Sequence, residues 1–265
     1  MAKNLPTAQL SEYLAFARDL AREAGKVTLQ YYHRELAIEH KSDSSPVTIA
    51  DRETEQFIRA EIRERYPDHG LLGEEFGEEN AGSPWRWVID PIDGTQAFIH
   101  GVPLYTVLLA LEYEGDSVLG VIHNPPQDET VAAATALGCT YNGLPCHVSQ
   151  TESLARAWVH VTDYADLARR RPRFCAALLA ASGFARSWAD AYGYLMVASG
   201  RADVMIDPIM SPWDIGPLKP IILEAGGRIT DLDGQPAMGA ESILATNGLL
   251  HDQVLEMLKL DGKEA

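Results

Sequence analysis

The chain has 265 residues, 46% of them hydrophobic and 23% charged, which suits one large domain or two closely packed lobes with a substantial core. Its formal net charge of -16 argues against nucleic acid or an anionic membrane as partner, because those surfaces need clustered Lys and Arg. No apolar run approaches the roughly 20 residues that span a bilayer, and the amphipathic start "MAKNLPTAQLSEYLAFARDL" lacks a signal-peptide apolar region, so a soluble cytoplasmic protein is expected.

Apolar residues Leu14, Ala17, Ala21, Ala24 and Thr28 recur at helical spacing, which predicts a helix over residues 10–32, and a second is expected over 50–66. Between them "HKSDSSPVTIAD" reads as a loop rich in turn formers. "PDHGLLGEEFGEE" reads as a short strand into an acidic turn and "WRWVID" as a buried strand. "TVLLALEYEGDSVLGVIHNP" makes two strands joined at Glu114, Gly115 and Asp116, and "ETVAAATALGCTYNG" gives a further strand and turn.

Beyond about residue 150 the texture changes. "ARAWVHVT", "VMID", "RITDLDG" and "SILATN" read as strands that alternate with helices in "RRPRFCAALLAASG", "GYLMVASGRAD", "WDIGPLKPIILEAGG" and residues 251–260. The expectation is an α/β (α+β) chain with an N-terminal half at 1–150 and a C-terminal half at 151–265, joined as one compact unit with no flexible linker. Cys139, Cys146 and Cys175 lack paired C-x-x-C spacing and read as reduced structural thiols. The basic run "RRRPR", residues 169–173, reads as a solvated loop or helix end.

Within "WVIDPIDGTQAF", Asp90 and Asp93 bracket Pro91 and Ile92 at the end of the buried strand. Buried carboxylates this close repel unless a cation joins them or one takes up a proton. The proline forces a turn that can aim both carboxylates and the Ile92 carbonyl at one point, and oxygen-only ligands suit magnesium or another hard divalent cation. Gly94 and Thr95 follow, where a helix or turn can begin and present N–H groups to an anion. Alone, the pair would read as a helix cap. "GEEFGEE" adds Glu74 and Glu75 upstream, and "SPWDIG" adds Asp214 at the start of another helix.

Together "GEE", "WVIDPIDGTQAF" and "PWDIGPLKPIILEAGG" resemble, in order and spacing, the signatures of the inositol monophosphatase family of metal-dependent, lithium-sensitive phosphatases. "KSDSSPVTIADRETE" looks like that family's Lys loop and its threonine-and-aspartate segment, so the resemblance covers nearly the whole chain. It implies a layered α-β-α-β-α fold and a homodimer. It implies two or three Mg2+ ions per active site, the first held by Glu74, Asp90 and the Ile92 carbonyl, the second by Asp90, Asp93 and Asp214. Thr95, Asp51 and Glu74 would be the catalytic residues, with Thr95 and Asp51 orienting and deprotonating the attacking water. Asp93 and the Gly94 and Thr95 amides would meet the substrate phosphate, Glu75 would stand behind the ligands, and Lys41 would balance charge near a mobile loop.

The resemblance fixes the reaction, hydrolysis of a small phosphate monoester, more firmly than the substrate, because members act on inositol phosphates, sugar bisphosphates, sulfonucleotide phosphates or histidinol phosphate. Where the inositol type carries a small neutral Gly-Ser/Thr-Ala sequence, this chain has Ala189, Asp190, Ala191 and Tyr192. Asp190, with Asp207 seven residues before Asp214, would set two carboxylates toward the leaving group and suit an amine or imidazolium. "RSWADAYGYLMVASGRADVMIDPIMSPWD" and "AFIHGVPLYTVLLAL" also resemble the histidinol-phosphate phosphatase branch. The alternatives are that Asp190 only caps the following helix, with an inositol or related polyol phosphate as substrate, or that the chain is an inactive binding protein of the same fold.

Overall fold

The computed structural model describes residues 5–35, 37–40, 46–188 and 190–261. Lys41 and the next four residues of the expected loop, 42–45, lie outside them. The chain opens with α1 (Thr7–Tyr31), a two-strand ladder of β1 (Glu39–His40) and β2 (Pro46–Val47), and α2 (Ile49–Arg65). There follow β3 (Gly70–Gly73), β4 (Gly77–Glu79), β5 (Trp85–Asp93), the short α3 (Thr95–Ile99), β6 (Thr106–Tyr113), β7 (Asp116–Asn124), β8 (Glu129–Ala134), β9 (Gly138–Tyr141) and β10 (Leu144–Pro145). The second half runs β11 (Trp158–Val161), α4 (Tyr164–Arg170), α5 (Pro172–Ala181), β12 (Phe184–Arg186), α6 (Ala191–Ala198), β13 (Val204–Asp207), α7 (Pro212–Glu224), β14 (Arg228–Thr230), β15 (Ile243–Thr246) and α8 (His251–Leu258).

Residues 70–145 build an eight-stranded sheet in the order β10-β9-β8-β7-β6-β5-β3-β4, and residues 158–246 a five-stranded sheet in the order β12-β11-β13-β15-β14. On one face of the large sheet α1 lays the stripe Leu10, Tyr13, Ala17, Leu20, Ala21 and Ala24, whose three- and four-residue spacing keeps one side apolar, while α2 adds Ile58 and Ile62. Between the sheets lie α6 and α7, and every residue of α6 is buried, as a helix covered on both sides requires. Beyond the small sheet, α4, α5 and α8 close a third core around Leu167, Phe174, Leu178 and Val254. The layers therefore run α-β-α-β-α, as the family resemblance implied.

One element was not expected from the sequence. The helix expected in "RRPRFCAALLAASG" is α5, and the unexpected α4 runs up to its start, where Pro172 at the first position of α5 has no N–H to continue α4. The basic run falls at that junction, where Arg169 and Arg170 pair with Asp166, and Arg171 with Asp233. All three cysteines are free thiols, with the sulfurs of Cys139 and Cys146 3.5 Å apart across the β9–β10 turn. Among the described residues no helix is long and apolar enough to cross a membrane.

Candidate active site

Side chains alternate along a strand, so residues three apart should face opposite ways. Asp90 and Asp93 escape that rule through a register shift. Asp90 stands opposite Leu108 and Asp93 opposite Thr106, so β5 carries one more residue than β6 over this stretch. Pro91, which cannot donate to the ladder, sits inside the irregularity. The extra residue turns both carboxylates to one side.

Each carboxylate is then tied down. The Ile92 amide donates to Asp90 Oδ1 at 3.0 Å. Asp93 Oδ2 accepts from Thr106 Oγ1 at 2.9 Å and from the Ala191 amide, at the head of α6, at 2.7 Å. The Thr95 hydroxyl donates to the Ile92 carbonyl at 3.1 Å. Asp214 is the third residue of α7 and accepts the Ser211 amide at 2.7 Å in a capping box. Carboxylate oxygens of Asp90, Asp93 and Asp214 lie within 4.8 Å of one another.

Glu74 follows β3, and its amide bonds to the Ile89 carbonyl at 3.2 Å, which sets it beside Asp90. Carboxylates crowded this closely cannot all stay charged without a cation or a proton among them. Burial, then the charges of Glu74, Asp93 and Asp214, hold the Asp90 carboxyl well above the usual range. Burial and the charges of Asp190 and Asp214 do the same to Asp93. Burial carries Asp214 to about 7, against the Ser211 amide, which pulls it down. A cluster that must otherwise be protonated at neutral pH, made only of oxygen donors, fits hard divalent cations.

Asp51 lies on the first turn of α2 rather than in a loop, because Thr48 and Asp51 cap that helix: Asp51 Oδ2 accepts the Thr48 amide and hydroxyl, both at 2.7 Å. Burial lifts its carboxyl to about 6, the Thr48 bonds oppose, and the charges of Glu75 and Glu74 add to the rise. Asp51 and Thr95 share no hydrogen bond among the described residues. Asp207, at the end of β13, accepts the Thr162 hydroxyl at 2.6 Å. Burial keeps Asp207 well above the usual carboxylate range against that Thr162 bond, and the charges of Asp190 and Asp214 add to the rise.

Asp190 precedes α6 but makes no side-chain cap bond, and its backbone adopts φ 52 and ψ -155, a region costly for any residue with a side chain. Its carboxylate turns instead toward Gly94, where an added Cβ would lie 2.9 Å from Asp190 Oδ2. The helix-capping alternative is therefore not what the geometry shows. Burial lifts the Asp190 carboxyl to about 6.

Sequence reasoning missed the support beneath Glu74. Glu55 and Arg59, fully buried on α2, form an ion pair of 2.7 Å, and Glu55 also accepts the Glu75 amide at 2.7 Å and the Phe76 amide at 3.3 Å. Their i, i+4 spacing was the available signal. Gly73 makes room: a Cβ there would fall 1.9 Å from Glu55 Oε1. The Glu75 amide is thus held by Glu55 while the charge of Glu75 reaches Asp51.

Comparison with known proteins agrees with this geometry. The model of the inositol monophosphatase family matches residues 9–260. A histidinol-phosphatase of Chlorobaculum parvum is 44% identical over 242 residues, covering 89% of this chain and 93% of that protein. A histidinol-phosphatase of Mycobacterium tuberculosis is 36% identical over 253 residues, covering 92% and 97%. The solved structure of the IMPase of Thermotoga maritima has a TM-score of 0.88 at 31% identity, covering 95% of this chain and 98% of its own. With its acidic signatures gathered at one point and a family match over nearly its full length, the chain belongs to the inositol monophosphatase family of metal-dependent phosphomonoesterases.

Proposed function

We propose that this chain is a magnesium-dependent histidinol-phosphate phosphatase. The observation that carries the reading is Asp190, held in a strained backbone, unused as a cap, and turned toward Gly94 on the side of the site where Asp207 also lies. Histidinol phosphate bears an amine and an imidazole on its leaving alcohol, and two carboxylates there supply charge-assisted hydrogen bonds that a polyol cannot match. The names of the Chlorobaculum parvum and Mycobacterium tuberculosis relatives support the same substrate.

In this reading Glu74, Asp90 and the Ile92 carbonyl hold one magnesium ion, and Asp90, Asp93 and Asp214 a second. Bound magnesium supplies an acidified water and neutralises charge on the phosphoryl group and the leaving oxygen. Asp51 accepts the proton of the attacking water: Thr48 occupies its Oδ2, so Oδ1 is the open acceptor, and burial sets its affinity for a proton near neutral. Thr95 gives its own proton to the Ile92 carbonyl and so offers lone pairs to orient that water. The Gly94 and Thr95 amides, at the head of α3, hold phosphate oxygens. Asp190 and Asp207 hold the departing alcohol. Glu75 tunes Asp51 by its charge, and Lys41 balances charge at the rim. From the family resemblance we further propose a lithium-sensitive cytoplasmic homodimer whose two halves, 1–150 and 151–265, act as one unit.

The test is phosphate release from histidinol phosphate and inositol 1-phosphate side by side, with magnesium and with chelator, for the parent and Asp190→Asn. Preference for histidinol phosphate that collapses in the variant is expected. Preference for inositol 1-phosphate, unmoved by the substitution, would return the chain to inositol or related polyol phosphates, in keeping with the IMPase name of the Thermotoga maritima neighbour. No release from either ester would leave a binding protein of this fold.

A further inference from the structure

Cys139 on β9 and Cys146, the residue after β10, stand opposite each other across a hairpin. Tyr141 pairs with Leu144 and Thr140 with Pro145, so Cys139 and Cys146 are the next opposed pair, and the Cys146 amide donates to the Cys139 carbonyl at 3.0 Å. Opposed residues of a hydrogen-bonded antiparallel pair lie about 5.5 Å apart at Cα and point to one face, a separation that a disulfide spans. The sulfurs are already 3.5 Å apart. Rotation of the two side chains can bring them to the bonding distance of about 2 Å with the backbone in place.

Both strands are held where they are. Gly138, the residue before Cys139, gives its amide to Glu224 at 2.9 Å, and Val148 gives its amide to the Ala225 carbonyl at 3.0 Å, so the hairpin is fastened to the tail of α7. The two thiols differ in access. Cys139 is buried in the core between the sheets, whereas Cys146 is half-buried at its margin, flanked by the exposed Pro145 and His147. A small oxidant therefore meets Cys146 first. The hydrogen bond between the thiols pulls Cys146 down and pushes Cys139 up, and burial adds to the rise of Cys139, so the reachable sulfur is also the one that ionises. Cys175 belongs to the third core, beyond the small sheet.

We propose that Cys139 and Cys146 form a reversible oxidation site, which hydrogen peroxide converts to a disulfide within the native fold. The Cys146 thiolate attacks one peroxide oxygen: an S–O bond forms as the O–O bond breaks, leaving a sulfenic acid and a hydroxide that the Cys146 proton converts to water. The Cys139 sulfur then attacks the sulfenic sulfur. The S–S bond forms, the S–O bond breaks, and hydroxide departs as water with the Cys139 proton. The thiols lose two electrons together and the peroxide is reduced to two waters. Closing this bond keeps Cys146 from climbing to the sulfinic acid, which thiols do not reverse.

The test treats the folded protein with hydrogen peroxide and weighs it before and after dithiothreitol. The parent should lose about 2 Da, regained with dithiothreitol, and its peptide map should join Cys139 to Cys146. The oxidised protein should melt at or above the temperature of the reduced one, because the closed hairpin restricts the unfolded chain. Cys139→Ser should stop at the Cys146 sulfenic acid, which dimedone captures, and Cys146→Ser should form neither product; a melt of each variant shows that it is folded. A parent that gains oxygen at Cys146 without losing 2 Da, a disulfide that lowers the melting temperature, or no reaction at all would each overturn the proposal.

Discussion

The hydroxyl of Ser117 donates to the carbonyl oxygen of Gly216 at 2.5 Å, and Pro220 is the reason. Inside α7 the Gly216 carbonyl would ordinarily accept the N–H four residues on, but that residue is proline. A buried carbonyl without a donor is costly, and Ser117, itself buried on β7, supplies the missing one. Ser117→Ala should therefore lower stability by about 1–3 kcal/mol, seen as a lower urea midpoint at unchanged slope. An unshifted midpoint would mean that water reaches this carbonyl.

Arg59→Met should be more damaging, because it leaves the fully buried Glu55 charge without its 2.7 Å partner. Breaking one side of such a pair costs about 3–5 kcal/mol, whereas removing both charges is often tolerated. Glu55→Gln with Arg59→Met should recover at least half of the loss, since the Gln oxygen still accepts an amide of the turn that follows Glu74. Thermal melts of the parent, both single variants and the double variant form the cycle. Additive losses would show that the two charges are not coupled.

The outline of the fold was legible because its signals are local. The stripe on α1, the apolar runs of β6 and β7 and the strand-helix alternation after residue 150 each follow from burial on one or two faces. The acids of the site were legible too, since they lie in three short signatures around Glu74, Asp90 and Asp214. Their supports were not. Thr106 reaches Asp93 only through the register shift at Pro91, and Ala191 reaches it across 98 residues of sequence separation. Nor could periodicity tell that Asp190 declines its cap, because that depends on a backbone conformation which the neighbouring residues impose and the residue itself disfavours.

Gly94 combines a positive φ of 78 with the 2.9 Å approach of Asp190 to where its Cβ would stand. Gly94→Ala should cost about 1 kcal/mol from the backbone alone. It should also displace the Asp190 carboxylate, so kcat/KM should fall by about tenfold or more, with the larger part of the loss beyond what the melt records. A variant that loses only melting temperature would show that Asp190 has room to step aside.

Asp93→Asn keeps an oxygen for the Thr106 hydroxyl and the Ala191 amide while removing one charge from the cluster. Without metal the variant should melt at or above the parent temperature, because burial and the charges of Asp190 and Asp214 oppose ionisation of the native carboxyl. With magnesium the order should reverse: the parent gains melting temperature as the ion binds the folded state, and the variant gains less or none. Turnover should be abolished. A magnesium response equal to the parent's would remove Asp93 from the ligand set.

Acid should act on the fold through histidine. His123, His160 and His251 are buried, and burial pulls each of them down to about 4. Their folded pKa lies below the ordinary value of about 6.5, so between those limits the unfolded chain binds the proton first. The stability they preserve is complete above about pH 6.5 and drains away as the pH falls toward 4. His160 isolates the effect, because neither of its ring nitrogens has a hydrogen-bond partner among the described residues and its ring stacks 5.8 Å from Trp188. His160→Leu should be at least as stable as the parent at pH 8, and its advantage should widen by about 2–3 kcal/mol near pH 4. Urea melts across that range measure the difference directly. A gap that stayed constant with pH would mean that His160 titrates in the fold as it does in the unfolded chain, and that the acid sensitivity lies with the other two rings.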